Sequence, residues 1–111
     1  MAEIILVSNK TNAVIDSIES FYTATSANNE GLGTRVNAFT ASNDTTSSID
    51  YKAYIFDASG ALVSPVIPQT TVVRDRFDLG APIVGQLIPP GGQLMIESSG
   101  ALSFYVTGDE L

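Results

Sequence analysis

The chain alternates short β-branched and aromatic runs with turn residues every ten to fifteen positions, the pattern of a β-sandwich or barrel. Its clearest run is Ile49 to Asp57, where Ile49, Tyr51, Ala53 and Ile55 alternate with Asp50, Lys52, Tyr54 and Phe56. A period of two sends the first set to one face of a strand and the second set to the other. Glu3 to Val7 predicts a first strand, and Ile4, Ile5, Leu6 and Val7 make it apolar on both faces. Asn12 to Thr25 carries two patterns. Val14, Ile15, Ile18, Phe21 and Tyr22 follow helical spacing, whereas Phe21 to Thr25 has strand composition. A strand over the second half is expected, with room for a short helical turn before it.

Asn28 to Gly33 is a loop whose glycines can take positive φ. Thr34 to Ser42 predicts a strand, joined through polar Asn43 to Ser48 to the Ile49 strand as an antiparallel hairpin. Ala58-Ser59-Gly60 is a turn. Pro65 and Pro68 mark an edge or irregular segment, because proline cannot donate to a central ladder. Thr70 to Phe77 resumes as a strand. Leu79 to Gly92 is a long connection whose Ile83, Val84, Leu87 and Ile88 should pack over one end of the core. Gln93 to Ser98 and Leu102 to Gly108 predict a last hairpin, with Leu94, Ile96, Leu102, Phe104 and Val106 inward. With 111 residues and no internal repeat or dividing linker, residues 1–111 read as a single antiparallel β-sandwich domain of the all-β class.

Composition narrows the function classes. Charged residues are 15% of the chain, against about 25% in an average soluble domain. Ser, Thr and Asn take their place. Such a surface gives up its bound water cheaply and suits packing into an assembly, although a Ser/Thr-rich β protein would look the same. Five Lys+Arg against twelve Asp+Glu give a net charge of −7. That balance argues against nucleic acid, whose binding depends on cations displacing counterions, and against an anionic membrane surface. The four-residue apolar run at the start, preceded by Glu3, is expected to be neither a signal peptide nor a membrane span.

Candidate chemistry is sparse. The chain has no histidine and no cysteine. The commonest general base, the commonest metal ligand and any thiolate are therefore absent from the sequence. No Ser-x-x-Lys, Gly-x-Ser-x-Gly or calcium-loop motif occurs. Asp50 and Asp57 lie an odd number of residues apart and point to opposite faces. Asp75 and Asp78 stand beside Arg74 and Arg76, which should hold them ionised. The oxygens of Asn43-Asp44-Thr45 read as a plain turn. No enzyme activity, catalytic residue, metal or cofactor is expected.

Two features point instead to protein partners. Tyr54 and Phe56 occupy the nominal solvent face of the Ile49 strand, and Tyr105 that of the last strand. Aromatic residues there mark contact surfaces, unless both sides of these strands are covered within the subunit. The Ile4–Val7 strand must be central in a sheet or covered by another chain. Residues 1–8 are accordingly a candidate for exchange with a neighbouring subunit.

From Phe21 onward the chain resembles a group of small bacteriophage virion proteins. The resemblance is carried by Phe21-Tyr22-Thr23-Ala24, Gly33-Thr34-Arg35-Val36, Ala53-Tyr54-Ile55-Phe56, Ile83-Val84-Gly85-Gln86-Leu87-Ile88 ahead of Pro89-Pro90-Gly91-Gly92, and Val106-Thr107-Gly108-Asp109-Glu110. It departs at Thr25, where the family often has proline, in the longer Asn28–Leu32 loop, and over residues 61–75. The resemblance implies a jelly-roll-like sandwich that joins the virion, after assembly in the host cytoplasm, as a capsid decoration (cement) protein. It implies a homotrimer and contacts with the major capsid protein, with no catalytic residues carried over. A tail, neck or fibre component recognising a host glycan, or a carbohydrate-binding module, is the alternative reading.

Overall fold

The computed structural model describes residues 3–12, 14–24 and 31–111. Met1 and Ala2 of the N-terminal segment, and Thr25 to Glu30 of the strand end and loop expected there, lie outside the described residues. Nine strands and no helix are present among the described residues: β1 (Glu3–Thr11), β2 (Glu19–Thr23), β3 (Thr34–Asn43), β4 (Ile49–Phe56), β5 (Leu62–Val72), β6 (Arg76–Asp78), β7 (Leu87–Ile88), β8 (Gln93–Ser98) and β9 (Ser103–Glu110). They form two antiparallel sheets in a β-sandwich-like arrangement. The first runs β1-β9-β3-β6, with β7 also on β3, and the second runs β2-β8-β4-β5. The pairing is nested. β1 meets β9, β2 meets β8, β3 meets β6 and β7, and β4 meets β5.

Period-two alternation explains which side chains are inside. Along β4 the buried residues are Ile49, Tyr51, Ala53 and Ile55, along β8 Leu94, Ile96 and Ser98, and along β9 Phe104, Val106 and Gly108. The core joins the two sheets through rings. Phe21 of β2 meets Phe104 of β9 edge-on at 5.2 Å, and Tyr51 of β4 stacks on Phe39 of β3 at 5.9 Å. Each such ring buries a large apolar area, and the tilted contacts add about 0.5–1.5 kcal/mol apiece.

Two expected hairpins are not hairpins. β3 lies in the first sheet and β4 in the second, and likewise β9 and β8. Alternation reports which residues point inward, and that is the same whether consecutive strands pair or face each other across the core. Here they face. The bend after β8 is held from outside, since the Ser99 N–H donates to the Asp50 carbonyl (2.8 Å) and the Asp16 N–H to the Ser98 carbonyl (2.8 Å). Among the described residues, only β4 and β5 form a tight hairpin as neighbours in sequence, around Asp57. Its carboxylate accepts from the Ser59 hydroxyl (2.6 Å), the Ser59 N–H (2.9 Å) and the Ala61 N–H (3.0 Å). Those donors, the Ser59 hydroxyl foremost, hold Asp57 below the ordinary carboxylate range.

The strand expected over Thr70 to Phe77 also breaks. β5 stops at Val72 because the chain must cross to the first sheet, and Asp75 takes a left-handed φ of 59° to make the turn. Asn43 holds this corner. Its amide donates to the Ser47 and Val72 carbonyls (both 2.8 Å), and its oxygen accepts from the Thr45 N–H (2.9 Å) and hydroxyl (2.6 Å). The Asp75 N–H reaches the Asn43 carbonyl at 2.8 Å. Asn43 is 2% exposed, so its oxygens serve the fold and not an ion.

The connection from Leu79 to Gly92 does close one end of the core through buried Ile83 and Ile88, while Val84 and Leu87 face outward. Residues 14–17, where a helical turn was allowed, form a turn, and strand β2 follows. Pro65 and Pro68 lie in β5, an edge strand of the second sheet, the place in a sheet where proline is tolerated.

Candidate functional site

The side chains expected at an interface are divided between opposite faces of the sandwich. Tyr54 and Phe56 stand half-buried on the outer face of the second sheet, with rings edge-on at 6.3 Å. Register places Met95 of β8 opposite Tyr54, and Leu62 of β5 opposite Phe56. Leu62 and neighbouring Val63 are about half exposed. The result is an apolar patch assembled from three strands, at one end of this face. The Tyr54 hydroxyl donates to Glu97 at 2.6 Å. That bond to a carboxylate, with some burial, pushes the Tyr54 phenol up to about 12.

Beside the patch the same face turns polar. A cleft of about 210 Å³ is lined by Asp16, Asp50, Tyr51, Lys52, Gln69, Glu97, Ser98 and Ser99. Two of its three acids are held in place. Asp50 accepts from Thr71 (2.6 Å) and Gln69 (3.0 Å), and Glu97 from Tyr54. Register explains the gathering, because Lys52 lies opposite Glu97 and Asp50 opposite Thr71. Sequence spacing gives no sign of this cleft, since its residues come from three strands and a turn. Among the described residues no group of three or more acids is placed to hold a metal ion.

The first sheet carries the other expected residues. β1 is an edge strand paired with β9, so of the two readings of the Ile4–Val7 run, central in a sheet or covered by another chain, the first does not hold. Its four apolar residues are explained by a register shift between Ile5 and Val7. A bulge of this kind re-aims side chains. Ile4 sits opposite Gly108, Leu6 packs against the core and Val7 is buried, while Ile5 opposite Thr107 faces outward at 55% exposure. Tyr105, 36% exposed, lies on the same outer face, opposite Thr40. Phe77, the most exposed of the described large apolar residues at 63%, lies opposite Ser42 on that face. Sequence reasoning missed Phe77 because the expected strand ran through the turn that re-aims it.

Asp78 is not held by the neighbouring arginines. It accepts from the buried Tyr51 hydroxyl (2.6 Å) and the Gly80 N–H (3.0 Å). Burial first, and then the bond and charge of Asp78, raise the Tyr51 phenol well above its ordinary range. Comparison with protein-family models, curated proteins and solved structures returns no match to this chain.

Proposed function

We propose that this chain is a binding module of a bacteriophage virion, a decoration (cement) protein that docks on neighbouring major capsid subunits. The observation that carries the reading is the outward patch of Tyr54, Phe56, Leu62 and Met95. The inner faces of both sheets already supply a filled core, so these rings add nothing to it. Clustered aromatic and apolar side chains on an outer face are what a protein partner buries. The acidic cleft beside the patch, in a chain of net charge −7, complements basic ground on a shell. The nested pairing of β1 with β9, β2 with β8 and β4 with β5 supports a jelly-roll fold, the pairing of one long ribbon rolled up. The sequence resemblance supplies the virion setting, and the reading includes no catalysis and no cofactor.

Co-sedimentation with heads stripped of this protein tests the reading. Wild type should pellet with the heads, and the Tyr54→Lys, Phe56→Lys double variant should stay in the supernatant while keeping the wild-type circular dichroism spectrum. Equal pelleting of both proteins would refute the role of the patch.

The cleft favours one second reading, a glycan site in which Asp50, Gln69 and Glu97 bond sugar hydroxyls near the Tyr54 ring. Glycan-array binding by the isolated protein, lost in Asp50→Ala, with no binding to heads, would select it over docking.

A further inference from the structure

β1 is first in chain order and lies at an edge of its sheet, so it can detach without parting any other pair of strands. Its seat is specific. Val7 is buried, and Leu6 lies over Gly108, where a Cβ would stand 2.9 Å from Leu6 Cδ1. Lys10 Nζ donates to the Ser20 carbonyl (3.2 Å), pairs with Glu19 (3.6 Å) and sits 4.6 Å from the centre of the Phe21 ring. The β1 of another copy would meet the same partners. The connection that leads from β1 to β2 is under strain in the closed chain. Asp16 holds a left-handed φ of 61°, a region that costs a side chain more than it costs glycine. Asn12 is 7% exposed, and among the described residues its Oδ1 accepts no hydrogen bond. Val14, Ile15 and Ile18 are 57%, 58% and 44% exposed. A backbone bond from the Asp16 N–H to the Ser98 carbonyl (2.8 Å) tethers this turn to β8. Short connections under strain are the setting in which identical chains exchange an element.

We propose that two copies exchange β1, each laying its own β1 on the β9 of the other. The connection between β1 and β2 then straightens and crosses from one sandwich to its partner. Seven residues in extended form reach about 23 Å, which carries β1 clear of its own β9. The two crossing connections run antiparallel about a two-fold axis, and Val14, Ile15 and Ile18 of one cover the same residues of the other. The occupant of this apolar turn is thereby fixed, because exchange of β1 brings only an identical connection to it. Every contact that β1 makes in the closed chain is kept. The dimer gains the relaxation of Asp16 to extended backbone and the apolar area removed from water. Against these stands the freedom lost when two chains become one body, so the association is modest. Docking on a shell plays no part in it, and Tyr54 and Phe56 remain outward on both copies.

A disulfide between β1 and β9 tests this, because it shows which chain each β1 lies on. Ile5 and Thr107 are register partners, and the sequence has no cysteine. The Ile5→Cys, Thr107→Cys double variant therefore places both thiols within bridging distance. The full chain is held at a series of concentrations up to about 1 mM until its mass distribution by sedimentation velocity stops changing, and is then mildly oxidised. The expected result is a step to twice the 11.7 kDa chain mass, with the oxidised protein running as a covalent dimer on a non-reducing denaturing gel. Asp16→Gly relieves the closed turn and should raise the dimer dissociation constant by at least about tenfold, since each dimer contains two connections. Ile15→Lys should raise it as well, and Tyr54→Lys should leave it unchanged. A monomer throughout the series, oxidised within single chains, would overturn the proposal. So would a dimer whose disulfides lie within single chains, which assigns self-association to a face, or a dimer indifferent to Asp16→Gly. Cross-linked species that run past the dimer would overturn the two-fold exchange.

Discussion

Asn43 is the side chain on which the corner between the sheets should depend most. Replacing it with alanine removes both amide donors and the oxygen that organises Thr45. The Val72 carbonyl loses a bond that is buried, and water cannot easily replace it. An unsatisfied buried acceptor costs about 1–3 kcal/mol, and the partly exposed bonds to Ser47 and Thr45 add about 1 kcal/mol more after water substitutes for them. The expected loss is therefore about 3 kcal/mol, a large fraction of the roughly 5–15 kcal/mol that stabilises a typical domain. It corresponds to a drop in Tm of roughly 10–15 °C for a chain of this length. Urea unfolding followed by far-UV circular dichroism and tyrosine fluorescence is suitable, as the chain has four tyrosines and no tryptophan. The midpoint should fall with the denaturant slope unchanged. Asn43→Asp sharpens the test. Near neutral pH its carboxylate would face the two carbonyls that the amide now serves, so it should be less stable than Asn43→Ala. Those carbonyls raise the folded-state pKa of the new acid. The folded state then binds more protons than the unfolded one as pH falls through that raised value, so the deficit relative to Asn43→Ala should shrink as pH falls towards about 4 and change no further below it. A loss under about 1 kcal/mol in Asn43→Ala, or an aspartate variant as stable as wild type at neutral pH, would refute the reasoning.

Other substitutions probe the core and its titration. Gly80 has φ of +58°, and a Cβ there would lie 2.3 Å from Phe39 Cδ1, so Gly80→Ala should cost about 3 kcal/mol or more in urea unfolding. Tyr51→Phe keeps the ring stack but removes the donor to Asp78, and should cost about 1–2 kcal/mol near neutral pH. The folded-state pKa of Tyr51 lies above its ordinary 10.0, so once pH passes 10.0 the unfolded chain releases a proton that the folded chain keeps. Stability must then fall as pH rises, and Tyr51→Phe should show a shallower alkaline decline than wild type in unfolding curves taken from pH 9 to 12. Tyr54, at about 12, adds a decline of the same sign.

Much of the fold is legible in the sequence because alternation is a local property. Ile49 to Phe56 and Gln93 to Ser98 read correctly, as did the inward set Leu102, Phe104 and Val106. Strand partners are not local. The same inward residues serve a hairpin or two strands facing across a core, so the partners of β3 and β8 were misread. The N-terminal strand is legible as a strand but its place in the sheet is not, since a bulge between Ile5 and Val7 turns an apparently two-faced run into a mostly inward one on an edge strand. Among the candidate site residues, Tyr54, Phe56 and Tyr105 are visible as odd members of an alternating run. Phe77 is hidden by the turn at Asp75. The acidic cleft is hidden because Asp16, Asp50, Gln69 and Glu97 are brought together only by register and a turn.

Cryo-microscopy of the proposed virion tests the central claim most directly, that this domain works by an outward face that other chains bury. The account predicts density for the sandwich on the outside of the head, seated with Tyr54, Phe56 and Leu62 against the major capsid protein. Density seated with that face open to solvent, or a particle whose shell lacks this chain, would contradict it.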